Sequence, residues 1–227
     1  LSPRRNAYPL TPPIAAPSIL SADFSKLAEE LSIVDFDRDW VHCDVMDNHF
    51  VPNLTFGPLL VAAVRKLTPA FVDVHLMIEE PARIIPEFCK AGADQITVHV
   101  EAARDVGAAL AAVREGGARA GLAIKPGTPL SIAERYLADL DLLLIMTVEP
   151  GFGGQPFMED MLDKVKAAAA WRQAHDARYL IEVDGGIVPD TARRARAAGA
   201  EVFVAGHAVY RERDPHVALA VLRQAIG

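Results

Sequence analysis

Val41-His42-Cys43-Asp44-Val45-Met46 and Val72-Asp73-Val74-His75-Leu76-Met77 are the stretches on which the reading of this chain turns. Successive side chains of a strand point to opposite faces. Val41, Cys43 and Val45 therefore share one face, and His42, Asp44 and Met46 the other. The second stretch repeats the pattern, with Val72, Val74 and Leu76 opposed to Asp73, His75 and Met77. Two later runs behave alike. Ile96, Val98 and Val100 alternate with Gln95, Thr97, His99 and Glu101, and Ile181 and Val183 with Glu182 and Asp184. The apolar faces can pack on helices. The polar faces must then look into an interior, where an unpaired group costs on the order of a few kcal/mol. A metal or a polar ligand would compensate.

Outward from these stretches the chain keeps one rhythm. Short β-rich runs fall near 15–20, 40–46, 71–77, 95–100, 119–124, 142–148, 179–183 and 201–205. Segments of helical period follow each, near 23–34, 57–67, 80–90, 103–115, 130–138, 157–174, 189–198 and 214–225. Eight strand–helix units in order predict an α/β fold, a single-domain (β/α)8 TIM barrel over 14–227. A doubly wound sheet is the alternative, but no GxGxxG follows the first strand. Asp23 and Ser25 are expected to cap the first helix, and Pro58 and Asp190 to open the second and seventh. Gly92, Gly116 and Gly199 are expected at helix ends. Residues 1–13, with Pro3, Pro9, Pro12, Pro13, Arg4 and Arg5, read as a flexible N-terminal arm without the apolar segment of a secretory signal.

Composition narrows the function. The 227 residues include 23 Lys and Arg against 30 Asp and Glu, a net charge of −7, which speaks against nucleic-acid binding through bulk charge. No uncharged apolar stretch reaches the ~18 residues of a membrane span. Cys43 and Cys89 are the two cysteines, too few for a disulfide scaffold and in keeping with a reducing, cytoplasmic setting.

His42 and Asp44, at i and i+2, can reach one ion, with His75 projecting from the neighbouring strand and Asp184 closing the seventh. Two imidazoles and two carboxylates form an N/O set suited to one divalent ion: Zn, Fe(II), Mn or Co. His99 and Glu101 are assigned a supporting or structural role, and His49, His175 and His216 are read as loop or surface residues. Three glycine-bearing segments follow strands six, seven and eight: Gly151-Phe152-Gly153-Gly154-Gln155, Gly185-Gly186-Ile187 and Ala205-Gly206-His207-Ala208. Glycine there lets backbone N–H groups approach an anion, at the rim where barrels commonly hold phosphate.

Taken in order, these segments resemble the ribulose-phosphate 3-epimerase family. The carrying motifs are Pro17-Ser18-Ile19-Leu20-Ser21-Ala22-Asp23, His42-Cys43-Asp44-Val45-Met46-Asp47 with Phe50-Val51-Pro52-Asn53, Asp73-Val74-His75-Leu76-Met77, Pro150 through Gln155, Val183-Asp184-Gly185-Gly186 and Val204-Ala205-Gly206. The resemblance implies a metal-dependent isomerase of the pentose phosphate pathway. It would interconvert D-ribulose 5-phosphate and D-xylulose 5-phosphate at C3 through an enediolate. His42, Asp44, His75 and Asp184 would bind the metal, and Asp44 and Asp184 would be the acid/base pair. Ser18, Met46, His75, Met77 and Met146 would meet the substrate around the reacting carbons, and Gly151, Gly153, Gly154, Gly185, Gly186, Gly206 and His207 towards the phosphate. A sugar phosphate is the implied partner, with neither nucleic acid nor membrane, and a homo-oligomer is expected. Four positions depart from the usual pattern: Asn48 for Gly, Thr147 and Glu149 for Ser and Asn, and His207 for a small hydroxyl residue. His207 and Glu149 keep a ketohexose 6-phosphate epimerase (allulose 6-phosphate type) as an alternative. Lys125, ending the fifth strand, keeps a sugar-phosphate lyase or decarboxylase as another, and a non-catalytic sugar-phosphate sensor is a third.

Overall fold

The computed structural model describes Tyr8 and residues 10–227. Eight parallel strands form a (β/α)8 barrel: β1 (Ile14–Pro17), β2 (Trp40–Met46), β3 (Phe71–Met77), β4 (Gln95–His99), β5 (Arg119–Ile124), β6 (Leu142–Met146), β7 (Leu180–Asp184) and β8 (Val202–Ala205). From β2 to β8 each strand pairs in register with the next, and β1 pairs with β8. The bridges Ala15–Asp39 and Ser18–His42 bring β1 against β2 and close the ring.

Helices coat the outside: α1 (Leu27–Leu31), α2 (Pro58–Leu67), α3 (Ile85–Ala91), α4 (Val106–Glu115), α5 (Glu134–Leu137), α6 (Met161–Ala174), α7 (Pro189–Ala198), α8 (His207–Tyr210) and α9 (Pro215–Ile226). Proline opens α2, α7 and α9, where its missing N–H has no helical partner to lose. Asp105 and Asp214 cap α4 and α9 by accepting from Ala108 and Val217. Gly92 and Gly199 end α3 and α7 in the left-handed region.

The differences from expectation are local. The first strand stops at Pro17 because Ser18 accepts from Leu20 N and starts a 3-10 turn over Ile19–Ser21. Asp23 caps a second such turn, Phe24–Lys26, so the helix predicted from 23 starts at Leu27. The helix predicted near 80–90 is split into a 3-10 turn, Pro81–Arg83, and α3. Gly116 is the C-cap of α4 with right-handed backbone, and the positive φ falls one residue later, at Gly117. A short extra helix, α8, stands between β8 and α9.

The core has two shells. Between strands and helices, Val41, Cys43, Val45, Val72, Val74 and Leu76 pack against Val61, Val64, Ile85 and Phe88, all buried. Inside the barrel, Ile14, Trp40, Phe71, Leu142, Leu180 and Val202 fill the N-terminal end, with Trp40 stacked on Phe71 at 4.4 Å. Burying side chains of this size is worth about 1.5–3 kcal/mol each. Above this plug the interior turns polar, as the strand alternation requires. Most of the arm predicted over 1–13 lies outside the described residues. Of its members, Tyr8 and Leu10 pack against this interior cluster. No helix among the described residues is long and apolar enough to cross a membrane.

Candidate active site

The register of the sheet assembles the site. His42 lies beside Asp73, and Asp73 beside Gln95; one inward layer higher, Asp44 lies beside His75 and His75 beside Thr97. β7 supplies Asp184 from the other side of the barrel, next to Met146 of β6. One ligand atom from each of His42, Asp44, His75 and Asp184 falls within 4.8 Å of all the others, so the structure brings together the four residues singled out in the sequence.

Hydrogen bonds set the direction of each ring. His99 Nδ1 lies 3.0 Å from the Glu101 carboxylate, and its Nε2 lies 2.9 Å from Nε2 of His75. Burial pulls His99 down to about 4 and lowers His75 too, so both rings are neutral at physiological pH. Glu101 can only accept, so His99 carries its hydrogen on Nδ1 and must accept at Nε2. His75 then donates from Nε2, and its Nδ1 lone pair points at Asp44 (3.2 Å) and Asp184 (3.7 Å). A lone pair facing two carboxyl groups calls for a cation between them. His42 makes the same demand. Its Nδ1 lies 2.7 Å from Asp73, while its Nε2, 3.3 Å from Asp44, is buried without a hydrogen bond. The donor set, its convergence and this orphaned nitrogen all fit one divalent cation held by nitrogen and oxygen.

The two carboxyl groups are held in different states. Burial works against ionisation of Asp44, but the positive charge on His42, whose Nε2 lies 3.3 Å away, outweighs it and holds the group well below the usual carboxylate range. Ser18 Oγ donates to its other oxygen at 2.5 Å. Burial, with the Asp44 charge beside it, pushes Asp184 up to about 7. His42 is lowered by burial but raised further by Asp44 and Asp73, ending well above the ordinary range. Glu182, fully buried beneath the site, is raised well above its ordinary range by burial and by Asp73, and neither of its oxygens finds a hydrogen bond.

Above this cluster opens a cavity of about 840 Å³. Ser18, Asp44, Met46, Met77, Met146 and Asp184 form its floor, and Gly151, Gly153, Gly154, Gly185, Gly186, Gly206 and His207 lie along its wall. His42 and His75 sit beneath it, fully buried. The glycines are structural necessities where the wall is tightest. Gly186 has φ +64, and a Cβ there would stand 2.5 Å from the backbone N of Phe157. Arg213, between Glu212 and Asp214, is the one Lys or Arg among the described lining residues. Lys125 does not line the cavity, and its Nζ lies over the Phe50 ring at 3.7 Å. His49, His175 and His216 are exposed.

Several residues that shape the site stand in or beside the motifs above without a role having been assigned to them there. Asp47 accepts from the backbone N–H groups of His49, Phe50 and Glu79, which hold it below its usual range against partial burial and fold the loop after β2. Asn53 donates to Gly151 O and ties this loop to the one after β6. Thr147 lies within 2.8 Å of Asp184 O and 2.6 Å of Gly185 O, so its hydroxyl fastens β6 to the end of β7. Ser21 places its hydroxyl against Gly206. Asn48 takes φ +59, a conformation asparagine shares with the glycine usual there.

A parallel barrel with acid–base groups converging at the C-terminal ends of its strands defines a (β/α)8-barrel enzyme. The model of the ribulose-phosphate 3 epimerase family matches residues 14–210. Ribulose-phosphate 3-epimerase of Bacillus subtilis (strain 168) is 48% identical over 210 residues, covering 92% of this chain and 97% of the relative. The enzyme of that name from Mycobacterium bovis is 46% identical over 215 residues, covering 95% and 93%. Among solved structures, 3-keto-L-gulonate-6-phosphate decarboxylase from Vibrio cholerae shares the fold, with a TM-score of 0.67 at 21% identity over 95% of this chain and 97% of the other. The chain belongs to the ribulose-phosphate 3-epimerase family and is an isomerase.

Proposed function

We propose that the chain interconverts D-ribulose 5-phosphate and D-xylulose 5-phosphate by moving a proton at C3, with Asp44 and Asp184 as the two acid/base groups. One observation carries this reading: two carboxyl groups from opposite sides of the barrel, β2 and β7, meet at the cavity floor, one held ionised and the other able to carry a proton near pH 7. Inversion needs that asymmetry. One carboxylate takes the C3 proton from one face of the sugar, leaving a planar enediolate, and the other acid returns a proton to the opposite face.

His42, Asp44, His75 and Asp184 are the residues that would hold a divalent ion, which supplies Lewis-acid stabilisation of the enediolate charge, worth several kcal/mol. Ser18 holds Asp44 in place through its 2.5 Å hydrogen bond. Met46, Met77 and Met146 present soft apolar surface to the planar intermediate and keep water from protonating it. The backbone around Gly154, Gly185, Gly186 and Gly206 takes the phosphate, with the His207 ring beside Gly154. The −7 net charge does not oppose this, since backbone N–H groups need no basic side chains to hold an anion.

The test is an interconversion assay with ribulose 5-phosphate, with a ketohexose 6-phosphate in parallel, each with and without a chelator. Fast turnover of the pentose phosphate, lost on chelation and restored by added divalent ion, is expected. Preferential turnover of the hexose phosphate, or full activity of a metal-free protein, would overturn the corresponding part.

A further inference from the structure

Beneath the four converging ligand groups, a line of polar contacts runs down the barrel axis to its N-terminal mouth. His42 Nδ1 lies 2.7 Å from Asp73 Oδ2, Asp73 Oδ1 accepts from Gln95 Nε2 at 2.9 Å, and Gln95 Oε1 lies 2.6 Å from the hydroxyl of Tyr8. Tyr8 precedes the barrel in sequence, while Gln95 begins β4 and Asp73 and His42 lie on β3 and β2. His42, Asp73 and Gln95 are fully buried.

The polarity of this line is forced. A carboxylate only accepts, so the side of the Gln95 amide that faces Asp73 must be its NH2. Its carbonyl oxygen therefore faces Tyr8, and Tyr8 must donate. At the other end Asp73 accepts again, so His42 must carry a hydrogen on Nδ1. When His42 gives up its second hydrogen, the lone pair can appear only on Nε2, the nitrogen aimed at the site and left without a hydrogen bond. Asp141 O, a second acceptor, lies 3.0 Å from the same hydroxyl, and the single hydrogen goes to the nearer Gln95 Oε1 at 2.6 Å. The ring is held independently of that hydroxyl. It stacks on Trp40 at 5.3 Å, meets Phe71 at 5.9 Å, and carries the Arg119 guanidinium over its face at 4.2 Å.

We propose that Tyr8 is a positioning residue for the metal site: acting through Gln95 and Asp73, its hydroxyl fixes the ring orientation and tautomer of His42. The segment ahead of the barrel thereby tunes metal affinity from the end opposite the cavity. This rests on the reading of His42 as a metal ligand. Groups that orient a ligating histidine contribute about 10–100-fold in metal affinity. Tyr8 stands two bonds further away, so a smaller share falls to it.

The experiment measures cobalt(II) affinity of the full chain by chelator competition, together with the visible absorption of the bound ion, which reports the ligand field. Tyr8→Phe keeps the ring contacts and removes only the hydroxyl. It is expected to weaken cobalt(II) binding about 3–10-fold and shift the absorption, and Gln95→Met about 10-fold or more. The double variant should bind no more weakly than Gln95→Met alone, because Tyr8 acts only through Gln95. A Tyr8→Phe protein with wild-type affinity and spectrum overturns the proposal, even if its melting temperature falls, since that is what a purely structural plug would show. Effects of the two substitutions that multiply overturn it as well. His42→Ala separates the two levels. If cobalt(II) binds wild type and His42→Ala equally, the metal reading itself fails, and this proposal with it. If Gln95→Met does not fold, Tyr8→Phe decides alone.

Discussion

Gly186→Ala tests the backbone wall of the cavity. At φ +64 an L-residue costs about 1–2 kcal/mol. The larger effect is steric. The new Cβ would stand 2.5 Å from the N and 2.7 Å from the Cα of Phe157, both backbone, against ordinary contacts above 3.4 Å. No side-chain rotation relieves this, so the loop after β7 has to move by about an ångström, and the N–H groups it presents to the cavity move with it. A hydrogen bond to a charged group is worth about 1.5–3 kcal/mol, so displacing one from a phosphate predicts roughly a 10- to 150-fold loss in kcat/KM, mainly as a rise in KM. The melting temperature should fall by roughly 2–8 °C for the 1–2 kcal/mol of backbone cost. Gly127→Ala is the control, because a Cβ there meets nothing within 4 Å. Steady-state kinetics on the pentose phosphate checks both variants. A Gly186→Ala enzyme with wild-type KM would refute the assignment of this loop to the phosphate.

Two further predictions concern the metal and the core. Of the groups that would hold the metal, His42 sits well above its ordinary range, so near neutral pH its Nε2 bears a proton that the ion must displace. Affinity for Mn(II) should therefore rise about tenfold per pH unit through the neutral range, measured by isothermal titration calorimetry in several buffers; an affinity flat from pH 5 to 8 contradicts the ligand set. Trp40→Ala empties the centre of the N-terminal plug, where Trp40 is fully buried against Phe71. It should cost about 3–5 kcal/mol and lower the melting temperature by roughly 6–20 °C in a thermal scan.

Much of this site was legible in the sequence because strand alternation is a strict code. Once Val41, Cys43 and Val45 were placed on the helix-facing side, His42 and Asp44 had to face inward, and the structure buries both there. Proline and aspartate at helix starts were legible for an equally local reason, the unsatisfied N–H groups of a first turn. What escaped depends on closure of the ring or on single side chains. The 3-10 turns after β1 arise from the Ser18 and Asp23 side chains competing with helical bonding. The His75–His99 contact needs the register of β3 on β4. The docking of Tyr8 on Gln95 joins residues 87 positions apart and has no local signature. Thr147 looked like a departure from the family pattern, yet its hydroxyl fastens the strand that ends in Asp184.

The most direct test of the two-acid account is deuterium exchange at C3 in Asp44→Asn and Asp184→Asn, each in D2O with saturating divalent ion and supplied separately with ribulose 5-phosphate and xylulose 5-phosphate. Each variant keeps one carboxylate, which reaches one face of the sugar. The account predicts that neither variant epimerises, that each exchanges the C3 hydrogen of one epimer only, and that the two variants select opposite epimers. Epimerisation by either variant, or exchange of both epimers by the same variant, would contradict it.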